Sequence, residues 1–347
     1  MPTMELKSDH YEVSNSIEAI EFYYEKSWTD GLPVIPATEK SIQAMLDAAE
    51  LEPAYEITFI EHRQVSITAE KAAINAVMAG CKPEYMPVIV AALEGIGDPR
   101  YSYHGPATST GGAAVFMLVN GPIARELEIN HGDNLLGPGW RANGTIGRAI
   151  SLIMRNVIGT IPGKLDRSTL GHSGKYTYCI AENEEESPWP PVHVERGFEP
   201  EQSAVTVFAA LAPRQFYNQL SNTSEGILTT ACAHMRISAG TGMQPQYMLL
   251  ISGEHMQVMA KEGWSKDDIR RFCMENTQTS VAEMKRINVR PGGISPEDET
   301  NLIPLVSSPE DFIIVAAGGR VGAFSAFIPG WGGKTMSQSV TKEIRLT

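Results

Sequence analysis

One stretch of the sequence, residues 171–193, concentrates side chains that can do chemistry. It reads GHSGKYTYCIAENEEESPWPPVH and holds two histidines, one cysteine, one lysine and four glutamates. A glycine-bordered turn opens the stretch and a proline-rich segment closes it, which is typical of a loop. Loops on a rigid scaffold carry function more often than core elements do. We therefore expect the polar site of a small-molecule enzyme here.

A cysteine nucleophile is the first chemistry that these residues could support. A thiolate needs a nearby base or cation, and Cys179 has His172 and Lys175 close in sequence. Residues four apart in an extended segment face the same side, so Lys175 could lie beside Cys179. Cys81 is a second candidate, because a lysine and an expected helix start follow it, and both lower a thiol pKa. A buried structural thiol is the alternative for Cys81.

Carboxylate acid–base chemistry is the second possibility. Glu182, Glu184 and Glu185 are close neighbours, and neighbouring carboxylates raise one another's pKa toward the range of a general acid. The alternative for this run is a solvated charged surface. The residues beside it, Tyr178 and Trp189 among them, are apolar enough to favour burial and hence the functional interpretation.

Metal-dependent hydrolysis or elimination is the third possibility. Catalytic metal sites use three protein ligands and leave one position open. The sequence has no HxH or HExxH motif, so no metal site is assigned. The residues that could supply ligands are His104, His131, His172, His193 and the run Glu182–Glu186.

A glycine-bordered arginine is the best candidate for binding an anion. Gly137 and Gly139 precede Arg141, and Gly144 follows it, ahead of an expected helix with apolar residues at helical spacing. Glycines let backbone N–H groups approach a ligand, and a helix N-terminus attracts anions. Asn143 lies beside Arg141. The alternative is a glycine-rich turn with a solvated arginine.

Two apolar runs predict the strands that position these residues. AAVFMLVN ends at Asn120 and suits a strand buried on both faces, as in a parallel sheet. Ligand crevices in such sheets lie beyond the carboxyl ends of the strands, where Asn120 would stand. DFIIVAAGGRVG, starting at Asp311, gives a weak dinucleotide motif, but the following AFSAFIP predicts a strand and hence a tight turn.

The sequence predicts an α/β fold with mixed or parallel sheets, flanking helices and two halves of one pattern. FMLVNGPIARELEIN and YMLLISGEHMQVMAKEG both read as strand, glycine turn and helix. We expect a covering arm over residues 1–50, a first half over 51–200 and a second half over 201–347. The acidic, proline-rich composition near residue 200 suggests the boundary between the halves.

Composition limits the classes of molecule that the protein is expected to bind. The net charge of −13 disfavours binding to nucleic acid or to anionic membranes. No run reaches the roughly 20 apolar residues of a membrane span, and the polar N-terminus does not resemble a signal peptide. Four scattered cysteines predict reduced thiols and a cytoplasmic protein. The acidic arm suits a homo-oligomer, and the sequence identifies no cofactor.

Several motifs together resemble a widespread, poorly characterised bacterial family that is found alongside UGSC-type (seleno)proteins. The motifs are DGLPVIPAT, INAVMAGCKPEYMPV, NGPIAREL, GPGWRANGTIGRA, GHSGKYTYCIAENEEESPW and HVERGF, mostly within residues 28–200. The resemblance implies thiol or redox chemistry on a small molecule. It also implies a (seleno)protein companion, because this chain has no UGSC or CGSC motif.

These inferences predict an enzyme that acts on a small anionic organic molecule through a cysteine, with histidine and glutamate transferring protons. The alternatives are the metal-dependent hydrolase or lyase and a non-catalytic subunit of a redox complex. The predicted catalytic residues are Cys81, His172, Lys175, Cys179, Glu182 and Glu184. The predicted substrate-binding residues are His104, Asn120, Arg141, Asn143, Arg148 and Asn183.

Overall fold

A computed structural model describes residues 6–238 and 243–345 and shows an α/β fold. Its helices surround two central sheets. In chain order they are α1 (Ser16–Glu25), α2 (Glu39–Ala48), α3 (Ala69–Ala79), α4 (Met86–Gly97), α5 (His104–Thr108), α6 (Pro122–Glu126), α7 (Arg141–Asn156), α8 (Val192–Glu195), α9 (Ser224–Ser238), α10 (Gly253–Lys261), α11 (Lys266–Asn276), α12 (Val281–Arg286) and α13 (Pro296–Thr300). In these two ranges no helix is long and apolar enough to cross a bilayer.

The strands form two four-stranded sheets and two small antiparallel pairs. They are β1 (Glu56–Ile60), β2 (Val65–Thr68), β3 (Ala114–Asn120), β4 (Cys179–Ala181), β5 (Ala204–Ala210), β6 (Arg214–Tyr217), β7 (Tyr247–Ile251), β8 (Thr279–Ser280), β9 (Leu302–Ile303), β10 (Phe312–Ala316), β11 (Phe324–Pro329) and β12 (Val340–Glu343). The small pairs are β1 with β2 and β8 with β9.

The two four-stranded sheets have the same pairing pattern. In the order β4–β3–β5–β12, the first pair is parallel and the other two are antiparallel. In the order β10–β7–β11–β6, the first pair is again parallel and the others are antiparallel. The expected α/β fold with mixed sheets is confirmed, and both sheets have one pattern of strand pairing.

The two repeats of this pattern span residues 114–217 and 247–343, and each sheet receives its outer antiparallel strand from the other repeat. The chain leaves β5 in the first sheet and reaches β6 in the second sheet after residues 211–213. It later leaves β11 in the second sheet and reaches β12, which pairs with β5 in the first sheet. The predicted boundary near residue 200 is therefore wrong for the sheets, because β5 and β12 both lie beyond it and complete the first sheet.

The sheets stack face to face between two layers of helices. Along β3, Phe116 and Leu118 pack between the sheets, whereas Met117 and Val119 pack toward the helices. Along β7, alternate residues likewise face either the other sheet or the outer layer of helices. Helices α4 and α7 cover the first sheet, and α10 and α11 contact the second. The continuous apolar run of β3 is thus buried on both faces, as predicted, although only β4 runs parallel to it.

Local sequence signals set many of the helix ends. Thr38 forms the capping box that begins α2, and Ser265 forms one with Asp268 that begins α11. Helix α3 ends at Gly80, whose φ of +91° is in the left-handed region that glycine adopts without strain.

The covering arm is fastened to α3 and α7. Arg148 donates two hydrogen bonds of 2.8 Å to the Asp30 carboxylate and a third, of 2.9 Å, to the Pro33 carbonyl. The Ile35 amide donates to the Met78 carbonyl at 3.1 Å. These bonds hold the DGLPVIP segment against the first half.

Candidate functional site

The carboxyl ends of the parallel strands of both sheets meet at one place. After β4, the Asn183 amide donates to the carbonyl of Ala316, the last residue of β10, at 2.7 Å. After β10, the Gly318 amide donates to the His131 carbonyl at 2.8 Å. Ligands in open α/β sheets bind beyond the carboxyl ends of the strands. This junction is therefore the natural place for a site.

We call the polar side chains at this place the junction cluster. They come from the ends of β3, β4 and β10 and from helices α8 and α11. The members are Asn120, Glu182, Asn183, Glu184, Glu186, His193, Lys266 and Arg320.

Asn120 holds two carboxylates of the junction cluster in place. Its side-chain nitrogen donates to Glu182 at 2.7 Å and to Glu184 at 2.8 Å. Asn120 is fully buried, and its side-chain oxygen has no hydrogen-bond partner among the described residues. Buried polar atoms are nearly always bonded, so an unpaired one at the end of a strand indicates a place where a ligand or water can bind.

Glu182 links the two halves through a buried ion pair. One carboxylate oxygen accepts from Asn120 and from the Val192 amide at 2.8 Å, and the other lies 3.3 Å from the Lys266 ammonium on α11. Lys266 also donates to Glu195 at 3.0 Å. A buried carboxylate with this many donors is fixed in place, so Glu182 serves to join α11 to the end of β4.

Glu184 lies beside a histidine that lacks hydrogen bonds. One Glu184 oxygen accepts from Asn120 and from the Gly121 amide at 2.8 Å, and it lies 3.9 Å from Nδ1 of His193. His193 is fully buried, and within the described ranges neither ring nitrogen has a partner. An unpaired buried polar group costs about 1–3 kcal/mol. An unpaired buried polar group in a native structure calls for an explanation, and a catalytic role is one.

Glu186 and Arg320 form the more exposed edge of the cluster. They make a close ion pair, and Asn183 donates to the other Glu186 oxygen at 3.0 Å. The hydrogen bond from Arg320, followed by that from Asn183, holds the pKa of Glu186 below its usual range. Arg320 is three-quarters exposed. It is therefore the cation of the cluster that a ligand in solvent can reach.

Helix α10 begins next to Arg320. Its N-cap residue Ser252 makes no side-chain capping bond, and its buried hydroxyl has no partner in the part of the chain described. The Gly253 amide donates to the Gly319 carbonyl at 3.1 Å, which places the helix start against the Gly318–Arg320 turn. A Cβ on Gly253 would lie 2.6 Å from the Arg320 Cα, so this close approach requires glycine.

The two predicted catalytic cysteines are buried thiols. Burial raises the pKa of Cys81 to about 12 and that of Cys179 to about 12. Cys81 donates to the Thr145 carbonyl at 3.3 Å. The predicted lowering of the Cys81 pKa is wrong, because loss of solvation outweighs the favourable charges of Arg141 and Arg148.

His172 and Lys175 lie at the opposite end of β4 from the glutamates. Lys175 is paired with Asp166 at 2.8 Å, and His172 contacts the Ala210 carbonyl at 3.4 Å. Burial lowers the pKa of His172. The stretch of residues 171–193 therefore does not form one site, because the short strand separates its two polar ends.

The predicted anion-binding residues have structural partners. Arg141 donates from Nε and Nη2 to the Gly80 carbonyl at 3.1 and 3.0 Å and so closes the end of α3. Asn143 bonds both the Asn130 amide, at 2.8 Å, and the Cys179 carbonyl, at 3.0 Å. Helix α7 begins at Arg141, so Gly144 lies inside the helix and not in the loop before it.

The remaining predicted residues divide between the cluster and other sites. Asn120, Asn183, Glu182 and Glu184 belong to the junction cluster. Arg148 is bonded to the covering arm, as described above. His104 stacks on His62 with ring centroids 5.8 Å apart, and its buried Nδ1 has no partner in the described structure. In residues 6–238 and 243–345, no group of three or more His, Cys, Asp or Glu side chains is placed to hold a metal ion.

Sequence reasoning did not select Lys266, Arg320 or Ser252. A lysine at the first position of a helix opposes the helix dipole, which was a usable signal for Lys266. The repeated strand–glycine–helix pattern sets Ser252 opposite Asn120, and that correspondence could have identified it. Comparison of the sequence with protein-family models and with curated proteins gave no match.

Proposed function

We propose that this protein is an enzyme that transfers protons on a small anionic organic molecule at the junction cluster. Glu184 and His193 would be the acid–base pair, and Arg320 with the start of α10 would bind the anion. The observation that supports this most is His193, a fully buried ring with unpaired nitrogens 3.9 Å from a carboxylate oxygen.

The geometry of Glu184 and His193 suits proton transfer. A distance of 3.9 Å is too long for a hydrogen bond, and catalytic contacts are often long before a substrate binds. The two N–H donors on Glu184 fix the carboxylate, so it can accept a proton from one defined direction. A neutral imidazole has one donor and one acceptor nitrogen, so His193 can return a proton to the substrate.

An anionic substrate is favoured by the exposed edge of the cluster. Arg320 is a fork-shaped donor that suits a carboxylate or phosphate, and it would exchange Glu186 for the substrate. The unused Ser252 hydroxyl and the N-terminus of α10 would add neutral donors. The role of Glu186 is thus to hold Arg320 at this edge until an anion arrives, when the Ser252 hydroxyl would become a donor to the anion.

The predicted cysteine-dependent mechanism has less support than proton transfer by Glu184 and His193. The pKa values of about 12 for Cys81 and Cys179 leave very little thiolate at neutral pH. A (seleno)protein companion, which the family resemblance implies, would supply the reactive group in that alternative. It stays a prediction, to be tested by copurification with a UGSC-type partner.

The proposal can be tested by following hydrogen exchange from solvent. The full chain is incubated in D₂O with a mixture of small carboxylic acids and organic phosphates, and mass spectrometry detects deuterium incorporation or conversion. We expect the wild-type protein to label or convert at least one compound. The Glu184→Gln variant should lose this activity by 100-fold or more, the usual contribution of acid–base catalysis.

Glu185→Gln is the matched control. Glu185 is the next residue, is two-thirds exposed and pairs only at the surface with Arg125 at 3.2 Å. It should retain wild-type activity. The assignment of Glu184 as an acid–base group would be contradicted if the Glu184→Gln variant were as active as the wild-type protein. It would also be contradicted if no variant altered the rate of exchange.

A further inference from the structure

A large cavity lies beneath the N-terminal segment, away from the junction cluster. It has a volume of about 860 Å³, is partly open to solvent and is lined by residues 6–13, by helices α1, α2 and α3, and by the end of α7. No member of the junction cluster lines it. Small-molecule sites typically have volumes of about 300–1,000 Å³, so this cavity has the size of a binding site.

Aromatic rings form one wall of the cavity. Tyr11, Phe22, Tyr23 and Trp28 pack against one another with ring centroids 5.0–6.5 Å apart, mostly edge to face. Ile42, on α2, contributes to the aliphatic lining. Rings held in mutual contact form a rigid apolar surface, which binds a ligand without a further cost in side-chain ordering.

Several polar groups of the lining are hydrogen-bonded or ion-paired with one another. Glu70 accepts from the Lys7 amide at 3.0 Å and from the Ser8 amide at 2.8 Å. Asn156 donates to Asn75 at 2.7 Å. Glu39 lies 3.2 Å from His10. These carboxylates and amides have partners, and the other charged residues of the lining, Lys7, Asp9 and Lys71, are exposed to solvent. The cavity therefore offers a charged ligand little compensation for its lost hydration.

Glu70 also explains how the cavity could open. Residues 6–13 form its outer side, and the Glu70 carboxylate on α3 holds two of their backbone amides. Release of these bonds frees the segment without breaking a helix or a strand. Besides Glu70, only side-chain contacts hold this side of the cavity among the described residues, such as Tyr11 on Phe22 and His10 beside Glu39.

We propose that this cavity binds an uncharged, largely apolar organic molecule, in addition to the anionic substrate proposed for the junction cluster. The proposal rests on the volume, the aromatic wall and the paired state of the polar lining. It does not depend on any activity at Glu184 and His193.

The test is binding of N-phenyl-1-naphthylamine, a neutral fluorophore whose emission rises in apolar sites. The full-length protein is titrated and the emission recorded. We expect saturable binding to one site in the wild-type protein. Replacing Ala19, a buried residue of α1 that lines the cavity, by tryptophan should weaken binding by at least tenfold because the indole fills the space.

Ile17→Trp is the control on the same helix, because Ile17 is 73% exposed and does not line the cavity. It should bind like the wild-type protein. Ile74→Trp fills the cavity from α3 and provides a second variant if Ala19→Trp does not fold. Circular dichroism and a cooperative thermal transition establish folding of each variant.

Three results would overturn the proposal. They are no saturable binding to the wild-type protein, equal binding to a folded cavity-filling variant, and tighter binding of the anionic probe 1-anilinonaphthalene-8-sulfonate than of the neutral one. The last would show that the cavity prefers a charged ligand. None of these results bears on hydrogen exchange at Glu184.

Discussion

The two halves of the molecule share a scaffold and differ at the ends of their parallel strands. The first sheet ends in Asn120 and in the glutamate run after β4, whereas the second ends in Ser252 and the glycine turn after β10. The strand pairing is the same in both. The comparison shows that pairing specifies the scaffold, while the residues just beyond the strands give each half a different role.

This difference assigns complementary chemistry to the two halves. In the proposed function, the first half supplies the acid–base pair, Glu184 and His193. The second half supplies small residues that let α10 and Arg320 come close, because a Cβ on Gly253 would lie only 2.6 Å from the Arg320 Cα. Substitutions in one half, or in the ion pair that joins the halves, should therefore have different effects from matched substitutions in the other half.

The largest effect on stability is expected when the bond between the halves is broken. Lys266→Met leaves the buried Glu182 carboxylate without its cation, which costs about 3–5 kcal/mol. Urea unfolding measures this loss. The double variant Lys266→Met/Glu182→Gln should recover part of the stability because no unpaired charge stays buried.

A loss below 1 kcal/mol in the Lys266→Met variant would show that the ion pair does not join the halves. Lys261→Met is a suitable control. Lys261 lies in the last turn of α10 and is exposed, so its substitution should change stability by less than about 0.5 kcal/mol.

Thiol reactivity should be low in both halves. Cys81 and Cys179 lie in the first half and Cys232 and Cys273 in the second, and all four are buried free thiols. Because the first two have pKa values of about 12, native protein at pH 8 should react with iodoacetamide roughly 1,000-fold more slowly than unfolded protein. Mass spectrometry counts the labelled residues.

Cys81→Ser and Cys179→Ser should also retain the hydrogen-exchange activity described above. Rapid labelling of either cysteine in the native state, together with loss of activity in its serine variant, would favour cysteine-dependent chemistry over proton transfer by Glu184 and His193.

One buried histidine in each half allows a direct test of function against stability. His193→Leu removes two unpaired nitrogens, so we expect the free energy of unfolding to rise by about 1 kcal/mol while activity is lost. His255 instead bonds the Ser325 hydroxyl at 2.7 Å and the Asn218 carbonyl at 3.2 Å. His255→Leu should therefore lower stability by about 1–3 kcal/mol.

Chemical unfolding of the two leucine variants under the same conditions provides the measurement. A loss of stability in His193→Leu as large as that in His255→Leu would indicate that His193 has a structural role. In that case the proposed acid–base pair would lose its main support.

Changes of pH are expected to have the smallest effects on stability and on fluorophore binding. Burial lowers the pKa of His255, although its hydrogen bond to the Asn218 carbonyl acts in the opposite direction. Burial raises the pKa of Glu70, but the hydrogen bonds from Ser8 and Lys7 outweigh it and the net pKa is lowered. A group whose folded pKa is lowered stabilises the protein above its unfolded pKa and loses this contribution as pH falls.

His255 should therefore begin to cost stability below about pH 6.5, and Glu70 below about pH 4.3. Thermal unfolding between pH 4 and 8 should show a smaller slope near pH 6 in His255→Gln than in wild type. Fluorophore binding beneath the N-terminal segment should weaken as the pH falls through the lowered pKa of Glu70 in the folded wild-type protein, but not in Glu70→Gln. A pH-independent affinity in the wild-type protein would contradict the role of Glu70.

Sequence patterns predicted the helices and strands much better than they predicted the junction cluster. The apolar run of β3, the capping boxes of α2 and α11 and the glycine end of α3 depend on neighbouring residues, so a local pattern encodes them. The two repeated strand–glycine–helix motifs also appeared where expected.

The site depends on contacts that no local pattern encodes. Lys266 meets Glu182 across 84 residues of sequence. Cys81 has the sequence neighbours of a reactive thiol, but the packing of α7 over it removes the solvent that a thiolate needs. Arg141 looked available because the carbonyl of Gly80, its actual partner, lies 61 residues away.

The exchange of edge strands has a consequence for biosynthesis. The first sheet is complete only when residues 340–343 have paired with β5, so most of the chain must leave the ribosome before that sheet can close. Until then β5 exposes an unpaired edge, which invites aggregation or association with chaperones. Premature termination after β11 would therefore yield a fragment with an open first sheet, and not a shorter protein with one intact half.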